Sequence, residues 1–377
     1  MDSNVPGGQL LWSRRESINT MFRCTGCGTE YQAFRYTCER CGNVLLVIAD
    51  GLRWAPEGTG MWRYRAMIPV AKRVSLCEGG SPLVRRRDVE SKVYLKVEGD
   101  NPTGSFKDRG TSVVMSDAMA RGYRTVAVAS TGNMGASVAA YSAYANLAAR
   151  VFLPRGIPDE KVAQIRAYGA ELVRVDGGFP EAVRRMRAEA ERGVYLATTG
   201  LNPYFLEGLK TIAFEVFEQL GVPDMVVVPT GTGGLLTAIH KGFEELRMLG
   251  VVDRVPRMVA AQAAAVAPIV TAWRDRTPLQ EAAEGETIAS AIRVKAPYNG
   301  LSAIAAMDRS GGFAVTVTDE QIVQAVRALG REGVFAEPAG GASLAAMEHI
   351  DLGRDESAVL VVTGSGLKDP TAALDGP

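Results

Sequence analysis

The sequence predicts an α/β protein with two lobes built on open, twisted sheets and a small appended cysteine module. Three observations carry that expectation. Strand-like and helix-like runs alternate from Val93 to Gly364. The 377 residues exceed what one hydrophobic core usually serves. Four of the five cysteines fall in one short cluster near the start.

Taken in order, residues 1–60 hold the cysteine cluster and many turn residues, and read as the module with an arm. The apolar, aromatic stretch Met61–Val70 (MWRYRAMIPV) is expected to dock that module onto the body. VYLKVEG (93–99) reads as a strand. TVAVAST (125–131) is a short β-branched run, and the Ala-rich NMGASVAAYSAYANLAA after it has strong helix propensity. VFLP is a strand, PDEKVAQIRAYG a helix closed by glycine, and ELVRVDG, EAVRRMRAEAERG and VYLATTG repeat the alternation. The run LEGLKTIAFEVFEQLG reads as a long helix, MVVVP (225–229) as a strand, LLTAIHKGFEELRMLG as a helix, MVAAQAA as a strand, and AVLVVTG (358–364) as a buried strand. The stretch 264–300 resists assignment.

Composition narrows the function. The chain is 47% hydrophobic and 22% charged, as ordinary globular proteins are. Lys+Arg and Asp+Glu are both 42, so no net field draws the chain to nucleic acid or an anionic membrane. No apolar run is long enough to span a bilayer, and the first residues lack the pattern of a signal peptide. Clustered cysteines suit metal binding in a reducing compartment better than a disulfide framework, so a cytoplasmic location is expected.

Four segments can do chemistry together. In Asn101-Pro102-Thr103-Gly104-Ser105-Phe106-Lys107-Asp108-Arg109-Gly110, a lysine stands at the mouth of a helix. Partial burial there would lower its pKa and free a nucleophilic amine, although an isolated lysine in a turn is ordinarily a surface group. In Ser130-Thr131-Gly132-Asn133, hydroxyls and N–H groups at a helix start suit a carboxylate or phosphate, and Asn133 can equally be an N-cap. Thr230-Gly231-Thr232-Gly233-Gly234 lets successive N–H groups converge on an anion; the plain alternative is a tight turn. Thr363-Gly364-Ser365-Gly366 closes a strand where ligands of open α/β sheets gather. One segment supplies an amine, two supply anion sites and one a hydroxyl. That set would hold a phosphorylated aldehyde and an amino acid.

NPTGSFKDRG closely resembles the lysine motif of threonine synthases, a fold type II family that uses pyridoxal 5'-phosphate. MWRYRAMIPV, CEGGSPL, STGN, NPYFLEGLKTIAFEVFEQLG, EPAGGAS and TGSGLKDP look like family segments in the same order, over about residues 60–370. The resemblance implies a tryptophan synthase β-like fold, with a module at 1–60, a large cofactor domain from 61–110 plus 207–377, and a small domain at 111–206. It implies that Lys107 binds the cofactor as a Schiff base and is the catalytic amine. Phe106 would lie beside the ring, and Asn133 would bond its phenolic oxygen. Gly231, Thr232, Gly233 and Gly234 would enclose the phosphate, and Thr363 would meet the pyridine nitrogen. Ser130 and Thr131 would bind the substrate carboxylate, with Asn202, Lys210 and Lys295 as polar candidates for the substrate phosphate. The implied reaction converts O-phosphohomoserine and water to threonine and phosphate. Its partner would be a small phosphorylated amino acid and its assembly a homodimer.

Several positions depart from the family pattern. Leu209 stands for a common glutamine, Val294-Lys295-Ala296 for Ile-Gly-Asn, Gly340 for serine, Ser365 for histidine or asparagine, and Cys77 for glycine. These leave the cofactor expectation intact and open the substrate. Rival readings are β-replacement on O-phosphoserine as in cysteate synthase, a serine/threonine dehydratase, and a non-catalytic zinc-ribbon binding protein.

Cys24-x-x-Cys27 and Cys38-x-x-Cys41 are two knuckles that can present four thiolates in a tetrahedron, which predicts structural zinc. Iron in a rubredoxin-like site and a ribbon that folds without metal remain open. Cys77 is read as a small buried residue.

Overall fold

Runs of Val, Leu and Ala form strands buried on both faces, and turn residues send the chain into covering helices. The computed structural model describes residues 19–87 and 91–370. The first part of the expected module and arm (1–18), where a signal peptide was expected to be absent, lies outside the described residues, as do 88–90 and 371–377.

The strands are β1 (Thr20–Cys24), β2 (Glu30–Tyr31), β3 (Leu45–Ala49), β4 (Leu83–Arg85), β5 (Lys92–Val97), β6 (Thr125–Ala129), β7 (Ala148–Pro154), β8 (Glu171–Val175), β9 (Tyr195–Leu196), β10 (Met225–Pro229), β11 (Arg257–Ala263), β12 (Phe313–Val317) and β13 (Ser357–Val362). They make three sheets. The six-stranded sheet has the order β12-β11-β10-β13-β5-β4, and only the edge strand β4 runs antiparallel to its neighbour. The four-stranded sheet, β8-β7-β6-β9, is parallel throughout. The small sheet, β2-β1-β3, is antiparallel and carries the cysteines. The chain thus makes β5, leaves to build the four-stranded sheet, and returns for β10.

Strand periodicity divides the core. From β10, Val226 and Val228 face a cluster with Leu236, Ile239 and Phe243 of the helix Gly234–Met248. Met225 and Val227 face the opposite cluster, with Ile322, Val326 and Leu329 of the helix Asp319–Arg331. A two-residue side-chain period is what places them so.

Two local expectations are corrected. The Ala-rich helix stops at Tyr144; Asn146 takes φ +53°, and Ala148 already belongs to β7. Pairing with β6 overrides the helix propensity of those alanines. Met61–Met67 is a 3-10 segment inside the main core, where the Trp62 indole donates to Glu78 and Ser112, and it also meets the arm of the module: the Arg53 N–H donates to the Ala66 carbonyl at 3.2 Å and Trp54 stacks on Tyr64 at 5.5 Å. Cys77 is exposed, with φ +67°, a conformation that favours glycine. The unassigned stretch 264–300 contains the helix Pro268–Asp275 and a largely irregular segment that packs behind the glycine loop.

Candidate active site and metal centre

Four loops at the carboxyl ends of parallel strands converge on one cleft of about 560 Å³. The loop after β5 brings Phe106 and Lys107, that after β6 brings Asn133, that after β10 the glycines, and that after β13 Thr363.

Lys107 is the first residue of the helix Lys107–Ala120. Its Nζ lies 4.2 Å from the centre of the Phe106 ring and 5.9 Å from that of Phe205. Burial lowers its pKa to about 8, and the charge of Glu337 opposes that shift. The surrounding motif fixes the helix start. Asp108 accepts hydrogen bonds from the backbone N–H and hydroxyl of Thr103, both 2.7 Å, and from Ser137 at 2.6 Å. Arg109 is fully buried between Glu98 (2.6 Å) and Glu215 (2.7 Å), and Lys96 of β5 joins Glu215 at 2.7 Å. Two cations and two anions therefore cancel inside the core, the condition for charges to be held there. Gly110 lies flush against Phe205: a Cβ would come 2.5 Å from its ring.

The segment Gly231–Gly234 leads into the helix Gly234–Met248. Gly233 has φ +87°, and a Cβ there would meet the Asn299 carbonyl oxygen at 2.6 Å. A Cβ at Gly231 would press on Ile292 at 3.1 Å. The loop backbone lines the cleft at a helix start, where the Gly234 N–H donates to the Thr232 hydroxyl at 3.4 Å.

Asn133 is not an N-cap. It is the first residue of its helix, and its Nδ2 donates to Glu337 Oε2 at 2.7 Å. Thr363 Oγ1 donates to Glu337 Oε1 at 3.0 Å. Glu337 is buried directly before the helix Pro338–Ala345. A Cβ on Gly364 would lie 2.6 Å from its carboxylate, so glycine there lets Glu337 rest against the end of β13.

The other expected residues lie elsewhere. Ser130 and Thr131 are half-buried beside Asn133, and Ser130 accepts from the Gly132 N–H; neither lines the cleft. Asn202 is buried and tied to the Leu196 carbonyl and the Tyr204 N–H. Lys210 is fully buried between Glu207 (2.5 Å) and Glu245 (2.8 Å). Lys295 pairs with Glu284 at the surface. None of these three lines the cleft, because each polar head is already engaged. Among the substituted positions, Leu209 alone faces the cleft. Sequence reasoning missed Thr199, Phe205 and above all Glu337. Its signal was an acidic residue before a proline-started helix, which reads equally as a cap.

The family described as pyridoxal-phosphate dependent enzyme matches residues 74–364. The chain is 42% identical to a threonine synthase of Methanocaldococcus jannaschii, over 93% of this chain and 94% of that one. It is 40% identical to a threonine synthase of Methanosarcina acetivorans, over 94% and 93%. The chain belongs to the threonine synthase family. Among solved structures, maize serine racemase aligns with a TM-score of 0.68 at 22% identity, covering 77% of this chain and 89% of that one. The processed form of threonine deaminase isoform 2 from Solanum lycopersicum aligns with a TM-score of 0.69 at 20% identity, covering 85% and 90%. These establish the fold as that of the fold type II pyridoxal-phosphate enzymes. The cleft of this threonine synthase family member fits the cofactor: a lysine of lowered pKa, a glycine loop whose backbone lines the cavity, and polar groups on the opposite wall.

At the other end, the Sγ atoms of Cys24, Cys27, Cys38 and Cys41 lie within 4.8 Å of one another. The spacings Cys24–Cys41 (3.3 Å) and Cys27–Cys38 (3.6 Å) approach the ~3.8 Å edge of a tetrahedron with zinc–sulfur bonds of about 2.3 Å. Each knuckle turns on a left-handed glycine, Gly28 (φ +72°) and Gly42 (φ +74°). Asn43 Nδ2 and the Gly26 N–H point at sulfur, as donors to thiolates do. The loop between the knuckles also holds the module to the body. Tyr36 OH accepts from the Leu196 N–H at 2.9 Å, and Phe34 stacks on Tyr195 at 5.7 Å beneath the Arg121 guanidinium at 4.4 Å.

Proposed function

We propose that this protein converts O-phosphohomoserine and water to threonine and phosphate at the cleft around Lys107. The observation that carries the reading is the convergence of the Lys107 amine, the glycine loop, Asn133 and Thr363 on one cavity. Pyridoxal phosphate supplies, when bound, an electron sink for carbanions at the substrate's Cα. Lys107 would hold it covalently, Phe106 would pack beside its ring, and Asn133 and Thr363 would face its phenolic oxygen and pyridine nitrogen. The N–H groups of Gly231–Gly234 and the hydroxyl of Thr232 would take its phosphate. Ser130 and Thr131, outside the cleft lining but adjacent to Asn133, would receive the substrate carboxylate.

The Lys107 amine, with a pKa of about 8, can both take and return protons near neutral pH. It would move protons at Cα, Cβ and Cγ of the substrate. In the balance, Cγ loses phosphate and gains hydrogen, while Cβ loses hydrogen and gains the hydroxyl of water. Phe205 and Leu209 line the wall beside Lys107 with apolar surface and would exclude stray water.

The same reading gives structural zinc on the four cysteines, a large domain of 61–110 plus 207–377 around a small one of 111–206, a homodimer, and a cytoplasmic location. Among the described residues no helix is long and apolar enough to cross a membrane. The test is release of phosphate and formation of threonine from O-phosphohomoserine, with Lys107→Ala as control. O-phosphoserine with sulfite, and unphosphorylated threonine, are run beside it. Cysteate or a keto acid as the main product, or full turnover by Lys107→Ala, would refute the proposal.

A further inference from the structure

Among the described residues Glu337 is the one acid that lines the cleft, and both of its oxygens are taken by the two side chains assigned to the cofactor's phenolic oxygen and pyridine nitrogen. That arrangement restricts where hydrogens can point. A charged carboxylate only accepts. The Asn133 amide nitrogen only donates, and it occupies Oε2 at 2.7 Å. A threonine hydroxyl has a single hydrogen, and at 3.0 Å Thr363 spends it on Oε1. What Thr363 has left for a partner in the cleft is lone pairs.

A free hydroxyl facing a pyridine nitrogen can donate to it and leave that nitrogen unprotonated. A hydroxyl already committed to a carboxylate can only accept, so the nitrogen must bring its own hydrogen to make the bond. We infer that Glu337 holds the Thr363 hydroxyl as an acceptor, so that the pyridine nitrogen of bound pyridoxal phosphate carries a proton. Glu337 is then a positioning residue: it acts through Thr363 and sets how strongly the ring withdraws electrons. The inference rests on the cofactor placement proposed above.

The charged form of Glu337 has partners, although burial holds its carboxyl above the usual range: the donors Asn133 and Thr363 and the cations Lys107 and Lys368 offset that rise in part. Lys368, which reaches Gln164 and the Thr103 carbonyl, faces Asp108 as well as Glu337. Gly364 leaves no side chain between the carboxylate and the strand end, so the contact is built into the backbone.

The experiment uses full-length protein reconstituted with pyridoxal phosphate labelled with ¹⁵N in the ring. The ¹⁵N chemical shift reports directly whether the nitrogen bears hydrogen, independently of turnover. The expected result is a protonated nitrogen in the unaltered protein and a shift toward the unprotonated range in Glu337→Gln, where one amide oxygen faces two donors and the freely rotating threonine hydroxyl is released. Glu337→Ala, which frees the hydroxyl altogether, is expected to show the same loss. An unprotonated nitrogen in the unaltered protein would overturn the inference. So would a nitrogen that stays protonated in both variants, which would mean that Glu337 merely fills the ring's place and swings away on loading. Borohydride reduction followed by peptide mapping separates the two proposals: a tag on Lys107 with an unprotonated nitrogen sinks this inference alone, and a tag on another lysine sinks the cofactor placement with it.

Discussion

The lowered pKa of Lys107 leads to a quantitative expectation about its reactivity. An ordinary lysine, with a pKa near 10.5, is neutral in about one molecule per thousand at about pH 7.5. At a pKa of about 8, the neutral share at the same pH is about a quarter, a gain of roughly 240-fold. The cause is desolvation between Phe106, Phe205 and Leu209, with no hydrogen-bond acceptor on Nζ among the described residues. Glu337 works against the shift, so Glu337→Gln should lower the pKa further. Trace acetylation of the cofactor-free protein, with each lysine followed by mass spectrometry across pH, reads the neutral fraction directly. Lys107 should approach its plateau just above pH 8, ahead of surface lysines by more than two pH units. The linkage has a definite sign: the folded state disfavours the charged amine, so its contribution is destabilising below about pH 8 and is relieved as pH rises toward the unfolded value. If Lys107 labelling climbs in step with the surface lysines up to about pH 10, the desolvation argument is wrong.

Three further outcomes follow from contacts described above. Arg109→Met leaves Glu98 and Glu215 buried with only Lys96 to offset them, and should cost about 3–5 kcal/mol in urea denaturation; a loss below about 1 kcal/mol would show that the cluster relaxes to solvent. Cys77→Gly removes a left-handed strain and should stabilise by ~1 kcal/mol, raising Tm by about 1–2 °C, whereas Cys77→Ala should not. Stripping metal from the four cysteines should speed hydrogen exchange at the Leu196 amide, which is capped by Tyr36; unchanged protection after verified metal loss would show that the ribbon docks without it.

The lysine motif was legible in the sequence because its reasons are mostly local. Thr103 and Asp108, five residues apart, fix the helix start, and the turn residues before them announce it. The cysteine knuckles were legible for the same reason. Glu337 was not, because its role exists only through Asn133, 204 residues earlier, and Thr363, 26 residues later. Lys210 misled in the opposite direction. A lysine in a segment bordering the site invites a ligand role, but Glu207, one turn before it, and Glu245, on the helix Gly234–Met248, consume its charge. The alanines at 148–149 were misread because propensity is a local quantity, and the β-pairs that capture them come from other parts of the chain.

The placement of β13 has a consequence for biosynthesis. This strand lies between β5 and β10, in the middle of the large sheet, yet it is the last strand in the described sequence. Until it emerges from the ribosome, β5 and β10 each expose an unsatisfied flank, and no earlier strand can bridge them. Sheet closure therefore waits for residues about 260 positions after β5, a long-range pairing that slows folding and lengthens exposure to aggregation. Because the same strand delivers Thr363, a nascent chain lacking it would have its lysine and glycine loop but not a finished ring-binding wall.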